Sequence, residues 1–265
     1  MNKTLSLLLF ICLSTFLFVG CSNDSNRKKN TSSEQSINLT ISAAASMQDT
    51  LVKIQKMYQE EQPDITISFN FGASGALQQQ ISQGAPVDLF LSAAIDKLDN
   101  LVEEGIIDES DHVDLLKNNL VLITNKEVGS SIKSFSDLKS LGNTKIAIGI
   151  PESVPAGKYA KEALESLNLW KQVEDHVVYA KDVRQVLSYV ETNNVEAGIV
   201  YGTDALTSDK VQVVASADEN SHTPIIYPIG IIKDSAKYEE AKAFYQYLQT
   251  PSILKVFEED GFIVN

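Results

Sequence analysis

The chain has 265 residues, 43% of them hydrophobic, and a formal net charge of −13 at neutral pH. That acidic balance argues against nucleic acid and against a basic patch for a membrane surface. Any anion the chain binds must therefore be held by local dipoles, not by the overall field.

The first residues read as a processing segment. Lys3 precedes an apolar run over residues 5–19, interrupted only by Ser6, Ser14 and Thr15, and too short for a comfortable membrane span. The run ends in LFVGC, with Gly20 directly before Cys21. This resembles a bacterial lipoprotein signal, with residues 1–20 removed and Cys21 lipidated as a membrane anchor. Phe18 departs from that pattern, which prefers Leu there, and a secretory signal cut elsewhere is the alternative. Cys12 lies inside the signal, so no disulfide or cysteine metal site is possible within one mature molecule. Residues 21–36 contain no aliphatic or aromatic side chain after the cysteine and read as a flexible polar tether.

From Ile37 the pattern is strand, loop, helix, repeated. INLTISA is a strand. A helix follows, with Met47, Leu51, Ile54 and Tyr58 on one face, Ser46 as its N-cap and Asp49 as a capping-box partner. DITISFN alternates as a strand, FGASGALQQQI enters a helix with Ser74 at its mouth, and VDLFLSA is a third strand. A helix over 96–103 stops at Gly105. NLVLITN is the next strand, followed by a short helix in SFSDLKSL.

Residues 145–164, KIAIGIPESVPAGKYAKEAL, are the stretch around which the rest is organised. A buried strand runs directly into a helix with Pro155 at its first position, where a missing N–H costs nothing. The N–H groups of Ala156 and Gly157 are then expected to be free, and such a helix mouth suits an anion. Beyond it come a helical turn at 170–175, the strand VVYA, and a helix with Asp182 as N-cap and Gln185 as box partner. AGIVYG is a strand ending in Tyr201, read as exposed. VQVVAS, the extended TPIIYPIGIIK, and helices over 235–248 and 251–259 complete the chain. Alternating strands and helices imply an α/β fold with mainly parallel sheets, whose ligands sit beyond the carboxyl ends of the strands.

Six strings occur in order: AAASM with Ser46, FGASGAL with Ser74, GAPVDLFLSA, PESVPAGKYAKEAL, AKDVRQVL and GIVYGTDA. Together they resemble the molybdate-binding proteins of bacterial ABC importers (ModA-like, type II periplasmic solute-binding proteins), over essentially all of residues 37–265. The resemblance implies two α/β lobes with a ligand cleft between them, residues 37–117 with 224–265 and residues 118–223. It implies that Ser46 and Ser74 supply hydroxyl and backbone donors, Ala156 and Val183 backbone N–H groups, and Tyr201 a hydroxyl. It implies a monomer that delivers molybdate or tungstate to an ABC permease, without a cofactor and without catalysis. Where FGASG carries glycine and alanine, some relatives have extra serines, so the neighbouring contacts are less defined.

The residues fit such a ligand on chemical grounds as well. All five groups donate hydrogen bonds, which a fully ionised oxyanion requires. Asp182 is expected to turn its carboxylate inward to cap its own helix, leaving the Val183 N–H for the ligand. Taken singly, Ser46 and Asp182 read as simple caps, Ser74 as a turn residue and Tyr201 as a core aromatic. A serine hydrolase is the enzyme alternative, but GASG around Ser74 misses the G-x-S-x-G elbow. His112, His176 and His222 show no catalytic or metal spacing. Another tetrahedral oxyanion, sulfate or phosphate, is the alternative within the binding class.

Overall fold

The computed structural model describes residues 36–140 and 142–264. The signal segment, Cys12, Cys21 and the tether before Ser36 lie outside the described residues. No described helix is long and apolar enough to cross a membrane.

Two mixed sheets form the scaffold. The first contains β1 (Ile37–Ala44), β2 (Ile65–Gly72), β3 (Leu89–Leu91), β4 (His112–Lys117), β10 (Ile226–Ile231) and β11 (Ile263–Val264), in the order β11-β4-β10-β3-β1-β2. The second contains β5 (Leu120–Asn125), β6 (Ile146–Gly149), β7 (Val177–Ala180), β8 (Ala197–Tyr201) and β9 (Val211–Ser216), in the order β7-β6-β8-β5-β9. The chain passes between the sheets twice, over residues 118–119 and 217–225.

Each sheet is parallel on one side and antiparallel on the other, so neither is mainly parallel. The parallel strands are those joined through helices: β1, β2 and β3 in one sheet, β6, β7 and β8 in the other. The antiparallel pairings all involve β4, β5, β9, β10 and β11, the strands next to the crossings and at the chain's end. A strand that arrives from the other sheet has no βαβ crossover to impose its direction.

The helices follow the apolar periodicity. α1 (Gln48–Glu61) buries Leu51, Ile54 and Tyr58, and α2 (Ser74–Ser82) buries Leu77 and Ile81. α3 (Ile95–Glu103), with Leu98 and Leu101, joins α2 in a satellite core with Phe90 and Ile107. α4 (Pro155–Ser166), the short α5 (Trp170–Val173) and α6 (Val183–Glu191) cover the second sheet, followed by the one-turn α7 (Gly202–Leu206). α8 (Tyr238–Leu248) packs on β10, and α9 (Pro251–Glu259) packs on α1 and β11, so the chain's end returns to the first sheet.

Among the described strands and α-helices, three were not evident in the sequence pattern: β4, α7 and β11. HVDLLK lacks clean alternation, and a five-residue helix and a two-residue strand carry no period. Ser46 is not an N-cap. It sits in a 3-10 turn (Ala45–Met47), and α1 starts after Met47 without a side-chain cap. Ser74 is the first residue of α2, with Ala73 at the cap position. Tyr201 is 1% exposed, not exposed as its strand-end position suggested.

Candidate oxyanion-binding site

Five strand ends converge on one small cleft. β1 and β2 run in register to Ala44 and Gly72, β6 and β7 to Gly149 and Ala180, and β8 ends at Tyr201. Ser46, Ser74, Ala156 and Val183 lie just past the first four ends. All five sequence-identified residues line the same cavity, with Ala45, Ala73, Ala93 and Pro155 between them. Its cavity volume is about 10 Å³. That falls far below the roughly 300–1,000 Å³ that encloses a drug-sized organic ligand, so such a ligand does not fit between these walls.

Each donor has a local origin. Pro155 takes the first position of α4, and the Gly157 N–H folds back onto the Val154 carbonyl at 2.9 Å. Gly157 is therefore not free, as the sequence had suggested, and Ala156 alone keeps an N–H without an acceptor among the described residues. Gly157 is needed there for a different reason. A Cβ at that position would lie 2.0 Å from the Gly149 carbonyl oxygen, so only glycine lets the helix mouth seat on the end of β6.

At α6 the Asp182 carboxylate turns inward, its Oδ1 accepting from the Gln185 N–H at 2.8 Å. Gln185 Oε1 in turn accepts from the Lys181 N–H at 2.8 Å, one residue before the cap. The Val183 N–H is left without an acceptor among the described residues, and the negative charge beside it is engaged by its own helix.

The hydroxyls are directed as well. Ser74 Oγ accepts from the Ala93 N–H at 2.9 Å, so its own proton is available for the cavity. Ser46 Oγ lies 2.9 Å from Tyr227 Oη. Tyr201 Oη is buried with no hydrogen-bond partner among the described residues, although its ring packs edge-on against Tyr227 at 5.7 Å between centroids. Burial pushes the phenols of Tyr201 and Tyr227 well above their ordinary value, so both stay neutral donors. A buried orphan hydroxyl is costly unless something in the cleft completes it.

Several contacts join the two walls directly. The Gly75 N–H donates to the Ser153 carbonyl at 3.0 Å, which places the mouth of α2 against the loop before α4. A Cβ on Gly75 would meet that oxygen at 2.7 Å. Arg184 of α6 reaches Asp49 of α1 at 2.6 Å and the buried Asp204 at 2.9 Å. Burial pushes the Asp204 carboxyl up to about 7, with Arg184 pulling the other way. Lys158 of α4 lies 3.6 Å from Asp96 of α3. Sequence reasoning missed Gly75, Asn118, Arg184 and Tyr227. Only a glycine at a helix start hinted at any of them.

The enzyme alternative finds no support in this geometry. Ser74 and Ser46 bond to a backbone N–H and a tyrosine, with no histidine beside either. His176 and His222 instead contact the backbone carbonyls of Thr144 and Thr223. No cluster of metal-ligating side chains occurs among the described residues.

Comparison with known proteins agrees with this arrangement. The family profile of the bacterial extracellular solute-binding proteins matches residues 39–263. The chain is 54% identical over 251 residues to a Bacillus subtilis (strain 168) protein, YvgL, which bears the provisional name of an ABC transporter substrate-binding lipoprotein; the match covers 94% of this chain and 95% of YvgL. It is 37% identical over 234 residues to the molybdate-binding protein ModA of Haemophilus influenzae, covering 86% of this chain and 90% of that one. Among solved structures it is similar to the substrate-binding domain of a provisionally assigned molybdenum ABC transporter from Clostridium difficile, with 44% identity, a TM-score of 0.67, and coverage of 86% of this chain and 99% of that one. The family consists of extracytoplasmic proteins that bind solutes for ABC transporters and are not enzymes. This chain belongs to the bacterial extracellular solute-binding proteins, and within them to the ModA-like periplasmic binding proteins.

Proposed function

We propose that the protein captures molybdate, and tungstate with it, and hands it to the permease of an ABC importer. The ligand would be held by the hydroxyls of Ser46, Ser74 and Tyr201 and by the N–H groups of Ala156 and Val183. The observation that carries this reading is Tyr201 Oη, a buried hydroxyl without a partner in a cavity toward which four other donors are available. No side chain lining that cavity carries a charge. Neutral donors at helix mouths supply positive potential to an oxyanion without the desolvation cost of a buried counter-charge. The names of the ModA relatives point to molybdate among the tetrahedral oxyanions.

In this reading residues 37–117 with 224–265 and residues 118–223 are two lobes that close on the ligand about the two crossings. The mature protein would be a monomer anchored outside the cell membrane by lipid on Cys21, in keeping with the name of the YvgL relative. Calorimetric titration against molybdate, tungstate, sulfate and phosphate tests the ligand. Tight binding of the first two and weak binding of phosphate is expected, and phosphate binding as tightly as molybdate would overturn the assignment. Cys21→Ser should release the protein into the medium, and unchanged membrane retention would refute the anchor.

A further inference from the structure

We propose that Asn118, which does not line the cavity, fixes the Ser46 hydroxyl as a donor through Tyr227 and thereby selects fully deprotonated oxyanions over protonated ones. The inference rests on the ligand site proposed above and names the residue that sets its selectivity.

The polarity follows from a chain of buried hydrogen bonds. The Asn118 Oδ1 accepts from the Asn119 N–H at 2.9 Å. A backbone N–H can only donate, so this bond fixes which end of the amide is oxygen. The Nδ2 end then donates to Thr203 Oγ1 at 2.9 Å and to Tyr227 Oη at 3.3 Å. Tyr227 Oη has a single proton. Its remaining neighbour within hydrogen-bonding distance is Ser46 Oγ at 2.9 Å.

If Ser46 donated to Tyr227, the tyrosine proton would be left with only Tyr201 Oη to turn to, and that hydroxyl makes no hydrogen bond of acceptable geometry among the described residues. The arrangement that satisfies every group runs Asn118 to Tyr227 to Ser46. The Ser46 proton must then point into the cleft. Ser74 is directed the same way by the Ala93 N–H. Both serines therefore present hydrogens, and a protonated oxyanion finds no serine lone pair to accept its own proton, which leaves Tyr201 Oη as the one hydroxyl able to turn toward it. Asn118 lies at the first crossing between the sheets and Tyr227 in β10, directly after the second. The relay thus ties both crossings to the ligand site.

Asn118→Asp reverses the relay. A carboxylate accepts from Thr203 and Tyr227, Tyr227 accepts from Ser46, and Ser46 turns a lone pair toward the cleft. The added charge repels molybdate and phosphate alike at a pH where both are doubly charged, so the ratio of their dissociation constants is the readout. The unpaired hydroxyl of bound phosphate is relieved, and the preference for molybdate over phosphate should narrow by about tenfold or more. Asn118→Ala removes a donor but supplies no acceptor for the Tyr227 proton, so it should leave the ratio near its wild-type value. In a Tyr227→Phe background neither Asn118 substitution should change the ratio, because the relay is cut.

Competitive titrations of the full-length protein and these variants decide the matter, with thermal melts confirming that each folds. If Asn118→Asp weakens the two anions equally, if Asn118→Ala shifts the ratio as far as Asn118→Asp does, or if the ratio still shifts in the Tyr227→Phe background, Asn118 acts only as a structural support and the inference fails. Wild-type protein that does not bind molybdate would instead overturn the ligand assignment on which the inference rests.

Discussion

The wall built on the first sheet offers hydroxyls, Ser46 and Ser74, each tied to a neighbour that fixes its direction. The wall built on the second sheet offers backbone N–H groups at Ala156 and Val183, plus the Tyr201 hydroxyl, none with an acceptor among the described residues. On the first wall each hydroxyl thus has one partner and keeps a proton for the cleft. On the second the donors have no partner at all, and only something in the cleft can satisfy them. The difference assigns roles: the hydroxyl wall sets which proton states are accepted, while the helix-mouth wall gains most from an anion. Side-chain substitutions can probe the first wall donor by donor. The second is fixed by helix geometry, and Tyr201 is its one donor open to simple removal.

The largest effect is expected from placing charge on the hydroxyl wall. Ser46→Asp puts a carboxylate at contact distance from the anion, where unit charges about 4 Å apart repel by roughly 4 kcal/mol at an effective dielectric near 20. Binding measured by calorimetry should fall by about a thousandfold. Unchanged affinity would remove Ser46 from the site.

Tyr201→Phe and Ser74→Ala separate the two walls. Each removes one hydrogen bond to a charged ligand and should cost about 1.5–3 kcal/mol of binding. Their effects on the protein without ligand should have opposite signs. Tyr201→Phe deletes a buried hydroxyl that has no partner and should raise the melting temperature. Ser74→Ala also strips the Ala93 N–H of its acceptor and should lower it. Melting shifts of the same sign in both variants would erase the distinction between the walls.

Gly75→Ala tests the contact between them. Its Cβ would meet Ser153 O at 2.7 Å and Ser153 Cα at 2.9 Å, both backbone atoms. Holding the walls apart should cost about 1–3 kcal/mol of affinity while leaving every donor in place. Small-angle scattering of the variant with ligand should show a larger particle than wild type with ligand. The smallest effect is expected at the rim. Asp49→Asn breaks the bridge from Arg184 to α1, but Asp49 is about half exposed, so the loss should be at most about 1 kcal/mol and should shrink with added salt.

How much of this was legible in the sequence depended on how local each feature is. Pro155 at a helix start, Asp182 as an N-cap and the apolar face of α1 follow from residues a few positions apart, and all three stand in the structure, although the Gln185 side chain reaches back to the Lys181 N–H and not to that of Asp182 as a capping box would. Ser46 as a cap did not, because its hydroxyl is claimed by Tyr227, 181 residues away. A partner that distant leaves no mark in a local pattern. Tyr201 looked exposed because a strand end faces solvent in an isolated sheet, whereas here it faces the opposite wall. The same limit hid Asn118 and Tyr227, which gain their role from bonds spanning 109 and 181 positions. The mixed character of the sheets was missed for a related reason. Strand direction at a crossing depends on which sheet the chain has left, which periodicity does not record.

The most direct test is the position of molybdenum itself. Crystals grown with molybdate and measured at the metal's absorption edge should show one strong anomalous peak between the two walls. Its oxygens should lie about 2.7–3.2 Å from the donors of Ser46, Ser74, Ala156, Val183 and Tyr201. A peak elsewhere, or an anion in the cleft that leaves Tyr201 Oη without a partner, would contradict the account.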